Sequence, residues 1–489
     1  MAHHLSKSRI LEGLQCPKRL YLHVYRSDLQ VESPEAEYQF AIGQDVGAVA
    51  RKLYPGGKLI GNDDNLSLAL EETGKLLQSG ETLLYEATFE YHGVLIRTDI
   101  LRISHQGYQI IEVKGSTEVK DYHLLDCAVQ SWVLEGAGYK VSSASLTYVN
   151  RDFVYPGNEL YQGLLITKDV TADIEGEKAA LSQKISDLHA VLDGPMPVIA
   201  PGDQCHSPFD CPFVGFCSPD TTEYPVMMLP RGKKVADGLL TLGIEDIRQI
   251  PEGYLENDKF ERIRRVTVSG QYELDSALTT IINNLEWPRY YLDFETISFA
   301  VPVWKDTRPY EQLPFQWSCH VEPQPGTLEH AEYLDTTGLA PMRAFSESLL
   351  KQLDNSGPII VYSSFEAARL RGLAERFPDM AGALHSIVHR LVDLLPLTRE
   401  HYYHPAMKGS YSIKSVLPTV AHDLDYKQLE NVHDGTEAQI AYSELIDIET
   451  PQQRKIELEH ALRKYCELDT LAMVRVTQFF GSRSNLAVD

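Results

Sequence analysis

Leu83–Tyr91, Val94–Ile103 and Tyr108–Val113 are largely apolar runs rich in β-formers, the pattern of strands. His92-Gly93 and His105-Gln106-Gly107 separate these runs and predict tight turns, so three consecutive antiparallel strands are expected. Helical spacing covers Ser6–Tyr25, Ala41–Leu53 and Asp121–Ala137, and a further strand pattern follows at Ser145–Tyr155. Beyond residue 220 the pattern breaks into short helical stretches between the turn signals Leu242-Gly243-Ile244 and Ile250-Pro251-Glu252-Gly253. Strand patterns return at Tyr290–Phe294, Phe315–Val321 and Pro358–Tyr362, followed by helices that end with Ile456–Phe479. The expected organisation is an α/β domain over 1–220, a helical connector over 221–285 and a second α/β domain over 286–489.

A length of 489 residues exceeds what one hydrophobic core usually supports, in keeping with that division. The net charge of −24 argues against a broad basic surface for nucleic acid, because phosphate neutralisation needs clustered Lys and Arg. A metal-dependent enzyme escapes this objection, since carboxylate cages are themselves negative and the basic runs Arg231-Gly232-Lys233-Lys234 and Arg262-Ile263-Arg264-Arg265 are available to track a backbone. The same runs also read as ordinary solvated faces. Seven cysteines are too few and too unevenly placed for a disulfide scaffold. There is neither a signal-peptide core nor a run of 18 apolar residues, so no membrane association and a cytoplasmic location are expected.

Phosphodiester hydrolysis needs a divalent cation to activate water and further positive charge to offset what develops on phosphorus. Asp99 lies in one strand pattern, and Glu112-Val113-Lys114 lies in the next, where alternation puts Glu112 and Lys114 on one face. The helix after them carries Gln130, placed to return toward the same point. This set resembles the PD-(D/E)xK nucleases, and within them the RecB-like branch, over most of residues 1–220. The resemblance implies a restriction-endonuclease-like fold with Asp99 and Glu112 as metal ligands. It also implies that Lys114 positions water or offsets charge and that Gln130 supports the site. The upstream helix of many relatives supplies a metal-binding His after Gly-x-x-Val; here Gly43-Gln44-Asp45-Val46 is followed by Gly47, leaving Asp45 or Glu86 as stand-ins.

Cys205, Cys211 and Cys217 recur every six positions, and Cys16 sits far upstream in Leu14-Gln15-Cys16-Pro17-Lys18-Arg19. This arrangement resembles the iron-sulfur RecB-like nucleases. There, one N-terminal cysteine and three cysteines beyond the nuclease core hold a [4Fe-4S] cluster that staples the ends of the domain together. Zinc held by four thiolates is the alternative, because spacing alone does not separate the two. Cys127, Cys319 and Cys466 lie in apolar patterns and read as small core residues.

In the last block, Tyr290-Tyr291-Leu292-Asp293-Phe294-Glu295 is an apolar strand that aims two carboxylates from one face. Tyr465 and Asp469, four apart on a helical pattern, share a face as well. This resembles the DEDD ribonuclease-H-like 3′ to 5′ exonucleases of the tyrosine subtype over about residues 289–480, which implies Mg2+ or Mn2+ as cofactor. The middle motif of that family matches Tyr362-Ser363-Ser364-Phe365-Glu366, with Glu366 where an Asp is usual, Ser363 or Ser364 as a helix cap, and Asp393 as a substitute ligand. Lys414 is placed to contact phosphate or to remain solvated. The two blocks together resemble bacterial RecB-like nucleases fused to a ribonuclease-H-like exonuclease domain. Two functions are therefore expected to compete: a nuclease acting on DNA ahead of RNA, and a catalytically degenerate protein that binds nucleic acid or recruits a partner.

Overall fold

The computed structural model describes residues 4–31, 34–61, 65–218, 222–429 and 431–482. It is a mixed α/β protein that divides into two units, Met1–Asp220 with Phe299–Glu311, and Thr221–Ser298 with Gln312–Asp489.

The first unit is built on a six-stranded sheet in the order β1 (Lys58–Leu59), β2 (Leu83–Tyr91), β3 (Val94–Ser104), β4 (Gly107–Lys114), β5 (Val141–Val149), β6 (Leu165–Asp169). Strands β2 to β4 form the expected antiparallel meander, while β4 and β5 run parallel. A parallel pair needs a crossover, which the helix Asp121–Gly136 provides. Its buried face (Cys127, Ala128, Val133, Leu134) packs with Phe89, Ile96, Ile110 and Leu146 of the sheet and with Ile185 and Leu188 of the helix Glu175–Asp193.

Several boundaries differ from the sequence reading. The single helix expected over Ser6–Tyr25 is two, Lys7–Gln15 and Pro17–Tyr25, because the residue before a proline is driven out of the helical region; Cys16 is extended at φ −158°. The next helix runs over Pro34–Leu53, longer than expected at its start. The strand expected at Ser145–Tyr155 is Val141–Val149, since pairing with Tyr108 sets its beginning and Asn150 N turns away to Leu164 O. The helices Leu66–Gln78 and Glu175–Asp193 are additional elements.

The second unit carries a five-stranded sheet in the order β10 (Glu329–Leu334), β9 (Leu313–Glu322), β8 (Arg289–Ile297), β11 (Ile359–Val361), β12 (Leu391–Asp393). Before it, β7 (Glu273–Leu274) pairs with the late β13 (Tyr402–Tyr403). β8 is central, antiparallel to β9 and parallel to β11; β10 and β12 close the edges. The segment 221–285, expected as a helical connector between domains, packs into this unit's core. Val226, Leu239, Ile263 and Ile282 are buried in one cluster with Tyr291, Ile360 and Phe480.

Residues 299–311, expected in the last block, fold into the first unit. Tyr155 N donates to Thr307 O (2.9 Å), Asp306 N donates to Tyr155 O (2.8 Å), and Ala300 joins the buried cluster of Ile42, Val149, Phe153 and Leu164. Among the described residues, no helix is long and apolar enough to cross a membrane.

Candidate active sites

The first site lies on the meander. β2 and β3 keep one register along their length, but the Glu86–Asp99 position drops out of the pairing, and Glu86 there adopts φ 57°. Glu86 is flanked by Arg97 (3.6 Å) and Arg51 (3.8 Å). Asp99 Oδ2 accepts a hydrogen bond from Val113 N at 2.6 Å, which ties together the two strands that carry the candidate residues. Lys114 Nζ lies 2.9 Å from Glu112 Oε1 and also pairs with Asp126, while Gln130 Nε2 donates to Glu112 Oε2. Asp99, Glu112, Lys114 and Gln130 therefore meet. The first three line a cleft of about 1510 Å³ with Asp45, Glu86 and His123, and Asp45 stands exposed on its helix.

Two participants were missed from sequence. Lys7, at the start of the first helix, reaches Glu112 at 2.9 Å and 3.1 Å, and Asp126 anchors Lys114; neither lies in a recognisable spacing relative to its partner. Burial pushes the Asp99 carboxyl up, to about 7, and Glu112 reinforces this against the pull of Lys7. Burial also opposes ionisation of Glu112, yet the Lys114 and Lys7 ammoniums hold it well below the usual carboxylate range. His123 is pushed down to about 4 by burial and by Lys114 and Lys120, and its Nδ1 accepts from Lys120 N (3.2 Å), so it sits as a neutral imidazole.

Beside this site, Cys16, Cys205, Cys211 and Cys217 line one recess with Arg19, Leu22 and Gln204. The kink at Cys16 brings it there, and Cys211 N donates to Cys205 O at 2.8 Å. No three of these four sulfurs lie within 4.8 Å of one another.

In the second unit, Asp293, Glu295, Glu366, Tyr465 and Asp469 line a cleft of about 290 Å³ together with Lys414 and Tyr362. The elements explain the convergence. Asp293 and Glu295 project from the last half of β8, at the point where chain order in the sheet reverses, which is where open α/β sheets form crevices. Glu366 sits in the first turn of the helix Phe365–Arg376 directly after β11; Ser364 is the N-cap residue, without a side-chain cap bond, and the Ser363 hydroxyl before it accepts from Phe365 N at 3.0 Å. Tyr465 and Asp469 face inward one turn apart on the helix Gln452–Gly481. Asp393 accepts from Leu395 N (2.9 Å) as the cap of its own helix, a structural role that accounts for it.

This site is short of positive charge. Burial, then Asp469 and Glu295, push the Asp293 carboxyl well above the usual range, and burial with Asp469 does the same to Glu295. Glu366 is pushed up to about 8, chiefly by burial, and its Oε2 is buried with no hydrogen-bond partner. Lys414 lies 5.2 Å over the Tyr465 ring and 5.4 Å over that of Tyr426, so it borders the cleft rather than being solvated. Tyr426, missed from sequence, donates to Asp469 Oδ1 at 2.5 Å. Cys466 is buried as expected, but its sulfur lies 3.6 Å from Asp293 Oδ2. Among the described residues, the one group of three potential ligands within 4.8 Å of one another is Asp293, Glu295 and Cys466.

The basic run 262–265 is occupied within the second unit. Arg262 donates to the carbonyls of Arg399 and Glu400, Arg264 pairs with Glu261 (2.7 Å) and Arg265 with Glu273 (2.6 Å). It does not form a free phosphate-binding strip.

Residues 290–412 match a family described as a domain of unknown function, DUF2779. Uncharacterized protein UU173 of Ureaplasma parvum serovar 3 is 26% identical over 240 residues, covering 43% of this chain and 34% of that protein. Uncharacterized protein MG366 homolog of Mycoplasma pneumoniae is 24% identical over 221 residues, covering 41% of this chain and 33% of that one. The match thus spans about a third of the length of these relatives. The crystal structure of SSO0001 aligns over 45% of this chain and 87% of its own, at 14% identity and a TM-score of 0.26.

Proposed function

We propose that this protein is a metal-dependent nuclease with two phosphodiester-cleaving sites, the first of the RecB-like PD-(D/E)xK kind and the second of the ribonuclease-H-like DEDD kind. The observation that carries the reading is the second cleft. Four acidic side chains from three distant stretches of chain, three of them buried and Asp293 half-buried, gather there with one neighbouring lysine, an arrangement whose repulsion a divalent cation relieves.

Asp293, Glu295, Glu366 and Asp469 would hold Mg2+ or Mn2+ in the second site, and Asp99 and Glu112 would do so in the first. Bound there, such ions supply an activated water and a counter-charge to the phosphorane-like transition state. The orphaned Glu366 Oε2 fits such a role, since a buried carboxylate oxygen without a donor is costly unless a cation meets it. Asp293 and Glu295 lie within a single ion's reach of each other, with the Cys466 sulfur beside them. Tyr465 stands beside these carboxylates to orient the attacking water, and Lys414, bordering the cleft, would meet the scissile phosphate. In the first site Gln130 fixes Glu112, and Lys114 offsets charge on phosphorus. A substrate with accessible ends, DNA ahead of RNA, suits two sites with no base-reading element recognised beside them.

The four cysteines are proposed to hold a [4Fe-4S] cluster. An all-sulfur donor set suits a soft metal centre, iron-sulfur or zinc, and the metal content of the purified protein decides between them.

A second reading is specific to the first unit: it grips nucleic acid without cutting it. The contacts that already occupy Glu112, together with Gly47 in place of a histidine, favour it. End-labelled DNA and RNA digested with Mg2+ or Mn2+ by the wild type, Asp99→Ala, Asp293→Ala and the double variant test both. Loss of cleavage in the double variant is expected; wild type indistinguishable from it overturns the enzyme reading. Cleavage insensitive to Asp99→Ala alone selects the gripping role for the first unit.

A further inference from the structure

Glu112 is held by a side chain from the far end of the unit's sequence. Lys7 Nζ lies 2.9 Å from Oε1 and 3.1 Å from Oε2, straddling the carboxylate as a bound cation would. With Lys114 on Oε1 and Gln130 on Oε2, four donor contacts meet a carboxylate that has about four lone-pair positions to offer. A divalent ion entering from the Asp99 side must displace one of these contacts. A second ion would have to displace Lys7 itself.

Lys7 is built to stay. On β3, only Ile100–Ser104 pair with β4, which leaves the first half of β3 open along that edge, and Leu5 bridges to Val94 there. Leu5 N donates to Gly93 O (2.8 Å) and Leu95 N to Leu5 O (2.9 Å), so the backbone two residues before Lys7 is stitched to the strand that carries Asp99. The helix that Lys7 opens buries Ile10 completely, and Gly13 lets it approach so closely that an added Cβ would fall 2.5 Å from Leu188 Cδ2. At the helix's other end, Gln15 donates to Gln204 O (2.7 Å) and Phe209 O (2.6 Å), within the stretch that bears Cys205 and Cys211. An ordinary surface lysine keeps its rotamer freedom; this one is an immobile positive charge.

We propose that Lys7 is a resident cation of the first site, standing beside Glu112 where a second divalent ion would otherwise bind, so that the site takes one ion and completes its positive charge with Lys7 and Lys114. This rests on the metal-dependent reading of the first site. It also gives the helix Lys7–Gln15 a purpose, since at 1.5 Å per residue that helix spans about 13 Å and carries a fixed charge at one end and the cysteine recess at the other.

The test is a count of bound Mn2+ by electron paramagnetic resonance on the full-length chain carrying Asp293→Ala and Asp469→Ala, so that only the first site reports. One Mn2+ that disappears on adding Asp99→Ala is expected. Lys7→Met should raise the count to two, Lys7→Gln should do the same if the methionine variant does not fold, and Lys7→Arg should stay at one. Two ions with Lys7 intact, or one ion with Lys7 neutralised in a folded chain, overturns the inference while leaving the metal-dependent reading in place. If no Asp99-dependent Mn2+ binds at all, the reading of the first site fails, and Lys7 falls with it.

Discussion

Glu366→Gln removes a single charge from the second cleft with almost no change of shape, and its consequences are calculable. Raising the carboxyl from its ordinary 4.5 to about 8 corresponds to about 5 kcal/mol at 1.36 kcal/mol per pH unit, once pH exceeds both values. Burial supplies most of that shift, with Asp393 and Asp469 adding repulsion, and a buried glutamine still carries a polar-group cost, so about half of it, on the order of 2–3 kcal/mol, is expected on removing the charge. The sign follows from proton counting. Between pH 4.5 and 8 the folded, metal-free protein holds more of the Glu366 proton than the unfolded chain does, so stability falls as pH rises through that window. In EDTA the variant should melt at the wild-type temperature at pH 4 and above it at pH 9, by roughly 5–10 °C for a unit of this size. With saturating Mn2+ the gap should narrow, because the wild type gains binding energy, about 2.7 kcal/mol at a hundred times Kd, that the glutamine variant recovers only in part. Differential scanning calorimetry, following the transition that Mn2+ shifts, reads both effects. Equal melting temperatures at pH 9 in EDTA, or an undiminished Mn2+ shift in Glu366→Gln, would refute the reasoning.

Three further outcomes follow. Mn2+ binding at the first site, measured in the Asp293→Ala background, should strengthen as pH rises through about 7, because Asp99 must lose its proton to become a ligand; a flat profile from pH 6 to 8 counts against this. Tyr426→Phe removes a hydrogen bond to a carboxylate, worth about 1.5–3 kcal/mol, and should weaken the second site's Mn2+ affinity by roughly tenfold or more in calorimetric titration while leaving the first site unchanged. Anaerobically purified wild type should absorb broadly near roughly 400 nm, and Cys16→Ser should lose that band and melt at lower temperature; a colourless wild type containing zinc by elemental analysis would replace the cluster with S4 zinc.

What could be read from the sequence divides along the range of the interactions involved. Asp99, Glu112 and Lys114 were legible because a hairpin with a short turn converts sequence neighbours into spatial ones, and a strand's alternation tells which face each side chain takes. Gln130 followed from a single crossover helix. Asp293 with Glu295, and Tyr465 with Asp469, are likewise local pairs; that the two pairs share a cleft needed the sheet order. Lys7 and Tyr426 were invisible because each reaches its partner across a long stretch of chain, 105 residues for Lys7 and 43 for Tyr426, with nothing periodic to announce the contact. The connector was misjudged for a related reason: its short helices hold only a few apolar residues each, and their burial depends on a core contributed by β8, β11 and the last helix.

The incorporation of Phe299–Glu311 into the first unit bears on how the chain must be made. A ribosome that has released residue 220 has not yet supplied Ala300, Val301 or Tyr310, so the apolar patch around Phe153, Tyr155 and Leu164 stays uncovered until β8 is already outside the exit tunnel. Cutting between the units, or expressing residues 1–220 alone, should therefore yield a sticky, aggregation-prone fragment, and the carboxylate-bearing strand of the second site has to emerge before the first unit is finished.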